Sequence, residues 1–315
     1  MGASSFGHIF QLHSFGESHG VGLGAVIDGC PAGVGFDHDF LQAELDRRRP
    51  GHGVGVSQRK ETDQAEVLSG VFEGLTLGTP IAILVRNVDQ RSKDYASIAT
   101  APRAGHADDM WKMKFGHSDH RGGGRSSGRE TVARVMGGAV AKMLLQKLAP
   151  DLRIRGVLEE VGGQNLPESQ RAEFLAQAQS KGESWGGQIR LQIDHPPSGL
   201  GQPVFHKLKA DLASALMGIG ATTAVELGAG LAAGAAAGTE FHSGDSSVYG
   251  GIRGGISTGE TITFRIAVKP TSSILDVAKQ GRHDPSIAVR AVPVCEAMVA
   301  LVLADHLLWQ RLDRV

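Results

Sequence analysis

The most constraining feature of the sequence is an apolar pattern of helical period between residues 130 and 148. Apolar side chains recur there at spacings of three and four residues, which places them on one face of an α-helix. The pattern predicts an amphipathic helix from Glu130 to Leu148, and such a helix needs another layer to cover its apolar face. That face comprises Val132, Val135, Met136, Ala139, Val140, Met143, Leu144 and Leu148.

The start of this helix has the composition of an anion-binding site. Ser127 and Glu130 have the spacing of a capping box, which predicts that each side chain satisfies a backbone N–H of the other residue. The glycines before them expose backbone N–H groups, and Arg125 and Arg129 add guanidiniums suited to phosphate or carboxylate. Residues 123–128 have P-loop spacing, but Arg129 and Glu130 replace the lysine and the hydroxyl residue, which disfavours ATP hydrolysis. The alternative is a flexible loop before a capped helix.

Strands and helices elsewhere do not alternate as βαβ units, which favours α+β layers with antiparallel sheets over a doubly wound sheet. We expect residues 228–238, rich in Ala and Gly, to pack their backbone close to another element. Residues 87–125 show little periodicity, and a long segment of that kind is usually functional. Periodicity predicts strands at 21–28, 81–86, 187–194 and 261–268, and helices at 39–48, 206–217 and 287–312.

Composition excludes several classes of protein. The chain has 44 glycines in 315 residues without a Gly-X-Y period, and 41% of it is hydrophobic, so neither collagen nor disorder fits. The 32 Lys and Arg nearly balance 33 Asp and Glu, and only 5% of residues are aromatic, which argues against nucleic-acid binding. Two cysteines, no signal-peptide pattern and no long apolar run predict a cytoplasmic protein without a membrane span. We expect one domain, 1–315.

Three further segments carry candidate functional side chains. Ser18 and His19 do not suit a nucleophile–base pair, because neighbouring side chains on an extended chain point to opposite faces. A structural histidine is the simpler interpretation of His19 alone. His117 and His120 have no matching ligand cluster at zinc-site spacing, so we expect no metal. The segments 269–273 and 281–285 read individually as a polar turn and a helix entry, with Asp284 near the N-cap.

Taken together and in this order, these segments resemble the chorismate synthase family over nearly the whole chain. The resemblance rests on FGESHG (15–20), DRRRPG (46–51), DQAEVLSGVFEG (63–74), DQRSKDY (89–95), AGHAD (104–108), GGGRSSGRET (122–131), GGISTG (254–259), KPTSS (269–273) and GRHDP (281–285). It implies a layered β-α-β sandwich in which antiparallel sheets pack around central helices.

The resemblance also implies a reaction. The family converts 5-enolpyruvylshikimate 3-phosphate to chorismate by an anti-1,4-elimination of phosphate in the shikimate pathway, which makes it a carbon–oxygen lyase. It uses reduced FMN without net redox change, with NADPH or an external flavin reductase as candidate sources of reduction. A homotetramer is implied as well. A catalytically inactive protein that binds flavin or a sugar phosphate is the alternative function.

Site residues are carried over from the family motifs. Substrate binding falls to Arg48, Arg103, Arg129 and Arg282. FMN binding falls to Arg125, Ser126, Ser127, Gly220, Ala221, Gly254, Lys269, Pro270, Thr271, Ser272, Ser273 and Arg282. By similarity His19 protonates the leaving phosphate, His106 supports the reduced flavin near N1, and Asp284 with Ser18 relays a proton from flavin N5. Many relatives have a further arginine where this chain has Val54.

Overall fold

The computed structural model describes residues 2–49, 63–87, 105–119, 121–272, 274–275 and 284–314. Its first half contains β1 (Ser5–Phe6), β2 (Gln11–Phe15), β3 (Gly22–Asp28), α1 (His38–Arg48), β4 (Ala65–Val67), β5 (Val71–Phe72), β6 (Leu75–Thr76), β7 (Ile81–Arg86), α2 (Asp108–Phe115) and α3 (Thr131–Leu148). Its second half contains β8 (Arg153–Val161), α4 (Glu168–Ser180), β9 (Gly187–Asp194), α5 (Leu208–Met217), β10 (Thr222–Leu227), α6 (Gly238–Ser243), β11 (Ile252–Arg253), β12 (Ile256–Ser257), β13 (Ile262–Val268) and α7 (Ala288–Gln310).

Two antiparallel sheets form the outer layers. The first has the strand order β1-β2-β3-β7-β4, and the second has the order β10-β13-β9-β8. In the first sheet, Ala25 of β3 is paired with Ile83 of β7, and both side chains are fully buried. In the second, Phe264 of β13 is paired with Leu191 of β9, and both are again buried. Each sheet therefore has an apolar face that must be covered by other elements.

The helices α3 and α7 lie between the sheets and cover these faces. Helix α3 packs on β2 and β3, helix α7 packs on β8 and β9, and the two helices pack on each other. Their backbones approach closely at Gly138, where a Cβ atom would lie 2.5 Å from the Cα of Ala297. One turn of small residues thus permits the tight helix pair. The predicted α+β class, with antiparallel sheets layered around central helices, is confirmed.

Helix α7 is long and apolar enough to cross a bilayer, being 23 residues long. The fold already covers its apolar surface, because 94% of its most apolar window is buried. Its apolarity therefore reflects contact with α3 and the second sheet rather than contact with lipid.

Two predictions about local structure are wrong. The capping box does not form: a 3₁₀ turn precedes α3, Ser127 Oγ accepts from the N–H of Arg129 at 3.3 Å, and the Glu130 carboxylate instead pairs with Arg134 at 2.9 Å. Helix α2 also lies inside the segment 87–125 that showed little periodicity.

The Ala/Gly run fits its prediction at one end only. At Gly228 a Cβ atom would lie 2.4 Å from the Val248 carbonyl oxygen, so the backbone does approach another segment there. Farther along, nothing lies within 4 Å of such an atom at Gly234 or Gly238, and Leu231 is 86% exposed. Most of the run therefore forms surface.

Candidate active site

The site begins at the glycine-rich turn 121–126, which closes over the turn that contains Ser18 and His19. Gly122, Gly123 and Gly124 all have positive φ, at 60°, 84° and 51°. A Cβ atom on Gly122 would lie 2.1 Å from the ring of His19 and 2.8 Å from Ser18 Oγ. Only glycine fits there, because the position requires both a left-handed backbone and space for the histidine ring.

Ser18 and His19 do hydrogen-bond to each other, contrary to the prediction. They lie in a turn rather than on an extended strand, so Ser18 Oγ and His19 Nδ1 come within 3.0 Å. Ser18 Oγ also donates toward the carbonyl oxygens of Arg121 and Gly122, at 3.3 and 3.2 Å. A hydroxyl has one proton, so when Ser18 Oγ donates that proton to a carbonyl it accepts the hydrogen bond from Nδ1–H of His19. The other ring nitrogen, Nε2, is then the atom of His19 that can exchange a proton with a ligand. Both side chains are buried.

Arg48 and Arg129 meet at one carboxylate, that of Asp63. The Nη2 atom of Arg48 lies 2.7 Å from Asp63 Oδ2, Nη1 of Arg129 pairs with Oδ1, and all three residues are buried. Burial by itself raises the pKa of the Asp63 carboxyl, but the two guanidiniums outweigh burial and hold the pKa below its usual value. Two buried guanidiniums therefore converge on this carboxylate.

Asn87, at the end of β7, joins this cluster to the histidine turn. Its side-chain N–H₂ donates to the carbonyl oxygens of Gly20 and Glu17 at 2.9 and 3.3 Å. Its side-chain oxygen accepts from Nη2 and Nε of Arg129 at 3.1 and 3.3 Å. The position of His19 is thereby linked to the position of Arg129.

Arg290, in the first turn of α7, joins the same cluster to Asp284. Its Nη1 lies 2.5 Å from Asp284 Oδ2, and its Nε donates to the carbonyl oxygen of Arg48 at 3.0 Å. Asp284 is buried and lies before Ile287, the residue that begins the helix without a side-chain cap. The interpretation of Asp284 as an N-cap is therefore wrong, because its carboxylate is turned toward Arg290.

The segment 269–272 lies beside Asp284 and His106. Thr271 Oγ1 donates to the Asp284 carbonyl oxygen at 3.2 Å. Lys269 Nζ donates to the carbonyl oxygen of Gly105, the residue before half-buried His106, at 3.1 Å. The backbone N–H of Lys269 donates to the carbonyl oxygen of Ala221 at 2.9 Å. Ala221 has a φ of 71°, and nothing lies within 4 Å of a Cβ atom at its neighbour Gly220.

Three predicted cofactor-binding side chains contact the protein itself. Arg125 Nη1 donates to the Gly16 carbonyl oxygen at 2.9 Å, and Nη2 lies 2.5 Å from Ser14 Oγ. Ser126 Oγ donates to the carbonyl oxygen of Gly123 at 2.6 Å, while Ser127 caps the following turn. These contacts fix the shape of the glycine-rich turn.

The remaining predicted positions are separate or lie outside the described residues. Gly254 lies in the hairpin turn between β11 and β12. The neighbouring carbonyl oxygen, that of Gly255, accepts a hydrogen bond from the Leu208 N–H at 2.8 Å. In the part of the chain that the structure describes, no hydrogen bond joins Gly254 to another predicted cofactor residue. Pro270 lies within the segment beside Asp284. Several predicted or discussed positions lie outside the described residues, namely Val54, the motif at 89–95, Arg103, His120, Ser273 and Arg282.

Comparisons with known proteins agree on one family. The chorismate synthase family profile matches residues 10–308. The chain belongs to the chorismate synthase family. It is 57% identical to the chorismate synthase of Bdellovibrio bacteriovorus, with 100% of both chains covered. It is 45% identical to that of Dinoroseobacter shibae, covering 99% of this chain and 97% of the relative. A crystal structure of chorismate synthase superposes with a TM-score of 0.78 at 28% identity, covering 96% and 93% of the two chains.

The predicted family and the predicted activity are confirmed by these matches. Members of the chorismate synthase family are carbon–oxygen lyases of the shikimate pathway, and the chain is an enzyme of this class. The match extends through both sheets and through α3 and α7, so the whole layered scaffold described above is the family's fold.

Three residues that organise the site were missed by sequence reasoning. Asp63 begins the motif at 63–74 and was noted only as part of that resemblance, with no role. Asn87 follows a strand, and Arg290 lies in a predicted helix, so neither had a local signal beyond its polar side chain. Their roles depend on partners 15 to 242 residues away in sequence.

Proposed function

We propose that the chain converts 5-enolpyruvylshikimate 3-phosphate to chorismate and phosphate by anti-1,4-elimination, using reduced FMN without net redox change. The observation that carries the proposal is one continuous series of contacts. It runs from the His19 turn through Asn87, Arg129, Asp63 and Arg48 to Arg290 and Asp284. Candidate acid, anion-binding and proton-relay groups thus belong to a single network.

The cationic part of the network suits the substrate. The substrate carries two carboxylates and a phosphate, and desolvating such an anion requires several fixed cations. Arg48 and Arg129 are buried, and their shared contact with Asp63 holds two guanidiniums close together. We assign them to substrate binding, together with Arg103 and Arg282 on the strength of the family motifs.

His19 is the proposed acid that protonates the leaving phosphate. Its Nδ1–H is held by Ser18 Oγ, whose own proton is directed at backbone carbonyls. The imidazolium therefore holds its transferable proton at Nε2. The glycine at 122 allows the glycine-rich turn to close against one side of this ring, which restricts the ring to a single orientation.

The described residues fit a flavin with a phosphate group. Lys269 supplies an ammonium group, and the hydroxyl residues Thr271 and Ser272 follow it. The left-handed backbone at Ala221 and the open space at Gly220 lie against this segment. We propose that Lys269–Ser273, Gly220, Ala221 and Gly254 hold FMN, with residues 125–127 and Arg282 completing the site. The chemistry supplied by bound reduced FMN is transient electron donation while phosphate departs.

The proton that accompanies this chemistry requires a buried group that can accept and return it. We assign that role to Asp284, together with Ser18, and we assign support of the reduced flavin to His106. Contacts of Lys269 with Gly105 and of Thr271 with Asp284 support these roles, since they hold His106 and Asp284 beside one segment of the proposed flavin site.

Several wider properties are proposed on the family resemblance. We propose a cytoplasmic homotetramer in which residues 1–315 form one domain, consistent with a single hydrophobic cluster that includes Phe10 and Leu308. NADPH or a separate flavin reductase supplies the reduced cofactor.

Anaerobic turnover tests the proposed function directly. The chain is mixed with substrate and photoreduced FMN, and both chorismate and released phosphate are measured. We expect the two products in equal amounts with reduced FMN and neither with oxidised FMN. Equal rates with oxidised FMN in air would contradict the proposal, and so would the absence of both products under anaerobic conditions.

A further inference from the structure

The first turn of α7 contains a cation that the helix itself does not favour. A helix N-terminus carries partial positive charge, so an arginine there is destabilising unless another group compensates it. Arg290 is the third residue of α7, and its side chain is 16% exposed. The compensating group is the carboxylate of Asp284, six residues earlier, at 2.5 Å. The stability of the helix alone therefore does not explain why an arginine stands at this position.

The same guanidinium also contacts the C-terminal end of α1. Arg290 Nε donates at 3.0 Å to the carbonyl oxygen of Arg48, the last residue of α1. Carbonyl groups in the last turn of a helix have no partner within that helix, so the bond satisfies a group that would otherwise need water. One rigid, planar side chain thus contacts the backbone of the buried Arg48 and the carboxylate of the buried Asp284.

We propose that Arg290 is a positioning residue that fixes Asp284 relative to Arg48 during the elimination. The inference rests on the proposed function, in which Arg48 binds the substrate and Asp284 relays a proton. We expect lysine not to replace this arginine, because the three N–H donors of an ammonium group share one nitrogen, whereas Nε and Nη1 of a guanidinium are held at a fixed separation. A displacement of about 1 Å at a reacting group is enough to reduce the rate markedly.

A double-mutant cycle separates positioning from simple stabilisation. Arg290→Lys is made in the parent and in Asp284→Asn, and turnover at saturating substrate with photoreduced FMN is measured for all four proteins. We expect Arg290→Lys to lower kcat at least about 10-fold in the parent, near the low end of an acid–base contribution. In the Asp284→Asn background we expect less than about a 3-fold further loss, because residues that act through one another are not additive.

Two other measurements do not depend on turnover. Substrate affinity for the protein without flavin, measured by calorimetry, should change by less than about 10-fold in Arg290→Lys, the scale of one lost hydrogen bond. The melting temperature is measured for every variant. Arg171→Lys is the matched control, since Arg171 also lies near the start of a helix and donates to the carbonyls of Leu158 and Leu166, both at 3.1 Å. Its kcat should stay within about 2-fold of the parent.

Several outcomes would overturn the inference. Equal losses of kcat in the two backgrounds would show that Arg290 does not act through Asp284, and an unchanged kcat would show that it does not act on the reaction. A loss of kcat in Arg171→Lys as large as that in Arg290→Lys would show that replacing any arginine near the start of a helix by lysine lowers kcat, whatever its distance from Asp284. If Arg290→Lys does not fold, Arg290→Gln is used in the same cycle, and failure of both to fold would assign Arg290 to stability alone. A parent without turnover would instead contradict the proposed function.

Discussion

Arg47 and Arg48 are neighbours in α1 but enter two different charged clusters. Arg48 is buried with Arg129 around the single carboxylate of Asp63. Arg47 contacts Glu296 at 2.6 Å and Glu44 at 2.9 Å, and Lys142 contacts the same two carboxylates. The second group, which we call the balanced cluster, is Arg47, Glu44, Glu296 and Lys142. Its two cations contact the same two carboxylates, whereas Arg48 and Arg129 converge on Asp63.

The difference in location separates a cluster that joins secondary-structure elements from the cluster that we propose binds the substrate. In the balanced cluster, burial would raise the pKa of Glu296, but the hydrogen bond from Arg47 and the charge of Lys142 outweigh it and lower that pKa. Glu296 also accepts from the Gly156 N–H at 2.9 Å, so the cluster ties α1, α3, α7 and β8 together. A group whose cations and carboxylates are paired in this way is compensated without a ligand.

Removing the proposed acid should have the largest effect and should be confined to the site. We expect His19→Ala to lower kcat by about 10² to 10⁴, the usual contribution of a general acid. FMN affinity and melting temperature should stay close to those of the parent. Anaerobic turnover and a flavin titration measure the two quantities. A normal kcat in this variant would remove the acid role from His19.

Breaking the balanced cluster should produce the opposite result. Glu296→Gln leaves Arg47 and Lys142 with one carboxylate, and because the Arg47 side chain is 43% exposed the cost should be about 1 to 3 kcal/mol, below that of a fully buried pair. We expect the free energy of unfolding to fall by that amount in denaturant titrations. The protein that remains folded should bind substrate with parental affinity. Weakened substrate binding in folded protein would contradict the separation of the two clusters.

Removing one site cation should weaken anion binding by an intermediate amount. Arg129→Ala deletes a charge-assisted donor worth about 1.5 to 3 kcal/mol, so the substrate Kd should rise roughly 10- to 100-fold. The accompanying loss of stability should be smaller than in Glu296→Gln, because Asp63 keeps Arg48. Isothermal titration of substrate into the two variants compares them directly. An unchanged Kd in Arg129→Ala would exclude Arg129 from the binding site.

The pH dependence of stability should give the smallest effect. Asp63 and Glu296 both have a pKa below the usual value, so each contributes stability that is complete above a pH of about 4 and is lost as pH falls through the lowered pKa. We expect unfolding free energy to decline below about pH 4 more steeply in the parent than in Glu296→Gln. Denaturant titrations at pH 7, 5 and 3.5 test this. Parallel profiles would mean that Glu296 is not the titrating group.

Regular elements were predicted best where one face is fully buried. The predicted bounds of β7 and β9 agree with the structure, and α1 begins one residue earlier than predicted. Strand β8 was missed because it lies at a sheet edge, with Arg153 and Arg155 exposed and Gly156 directly after them, so its apolar alternation is weak. Helix α4 was missed because few of its side chains are buried, which leaves little apolar periodicity.

The sequence by itself determined the central helix, the glycine-rich turn before it and the family. These follow from local rules. Apolar residues that recur every three or four positions define the buried face of a helix, and three consecutive glycines permit a left-handed backbone at Gly122. The resemblance to the family also implied that Arg48, Arg129 and Asp284 are site residues, since each lies in a segment that matches a family motif.

Only the tertiary structure decided which side chains these residues meet. Successive helical residues point about 100° apart, so Arg47 and Arg48 necessarily face different surroundings, but helix geometry does not say what those surroundings are. Packing of α1 against α3 and α7 brings Glu296 and Lys142 into the cluster of Arg47. Arg48 instead meets Asp63, which also contacts Arg129. Charge balance depends on contacts between residues distant in sequence. The separation of Arg47 and Arg48 into two different clusters is therefore a property of the fold.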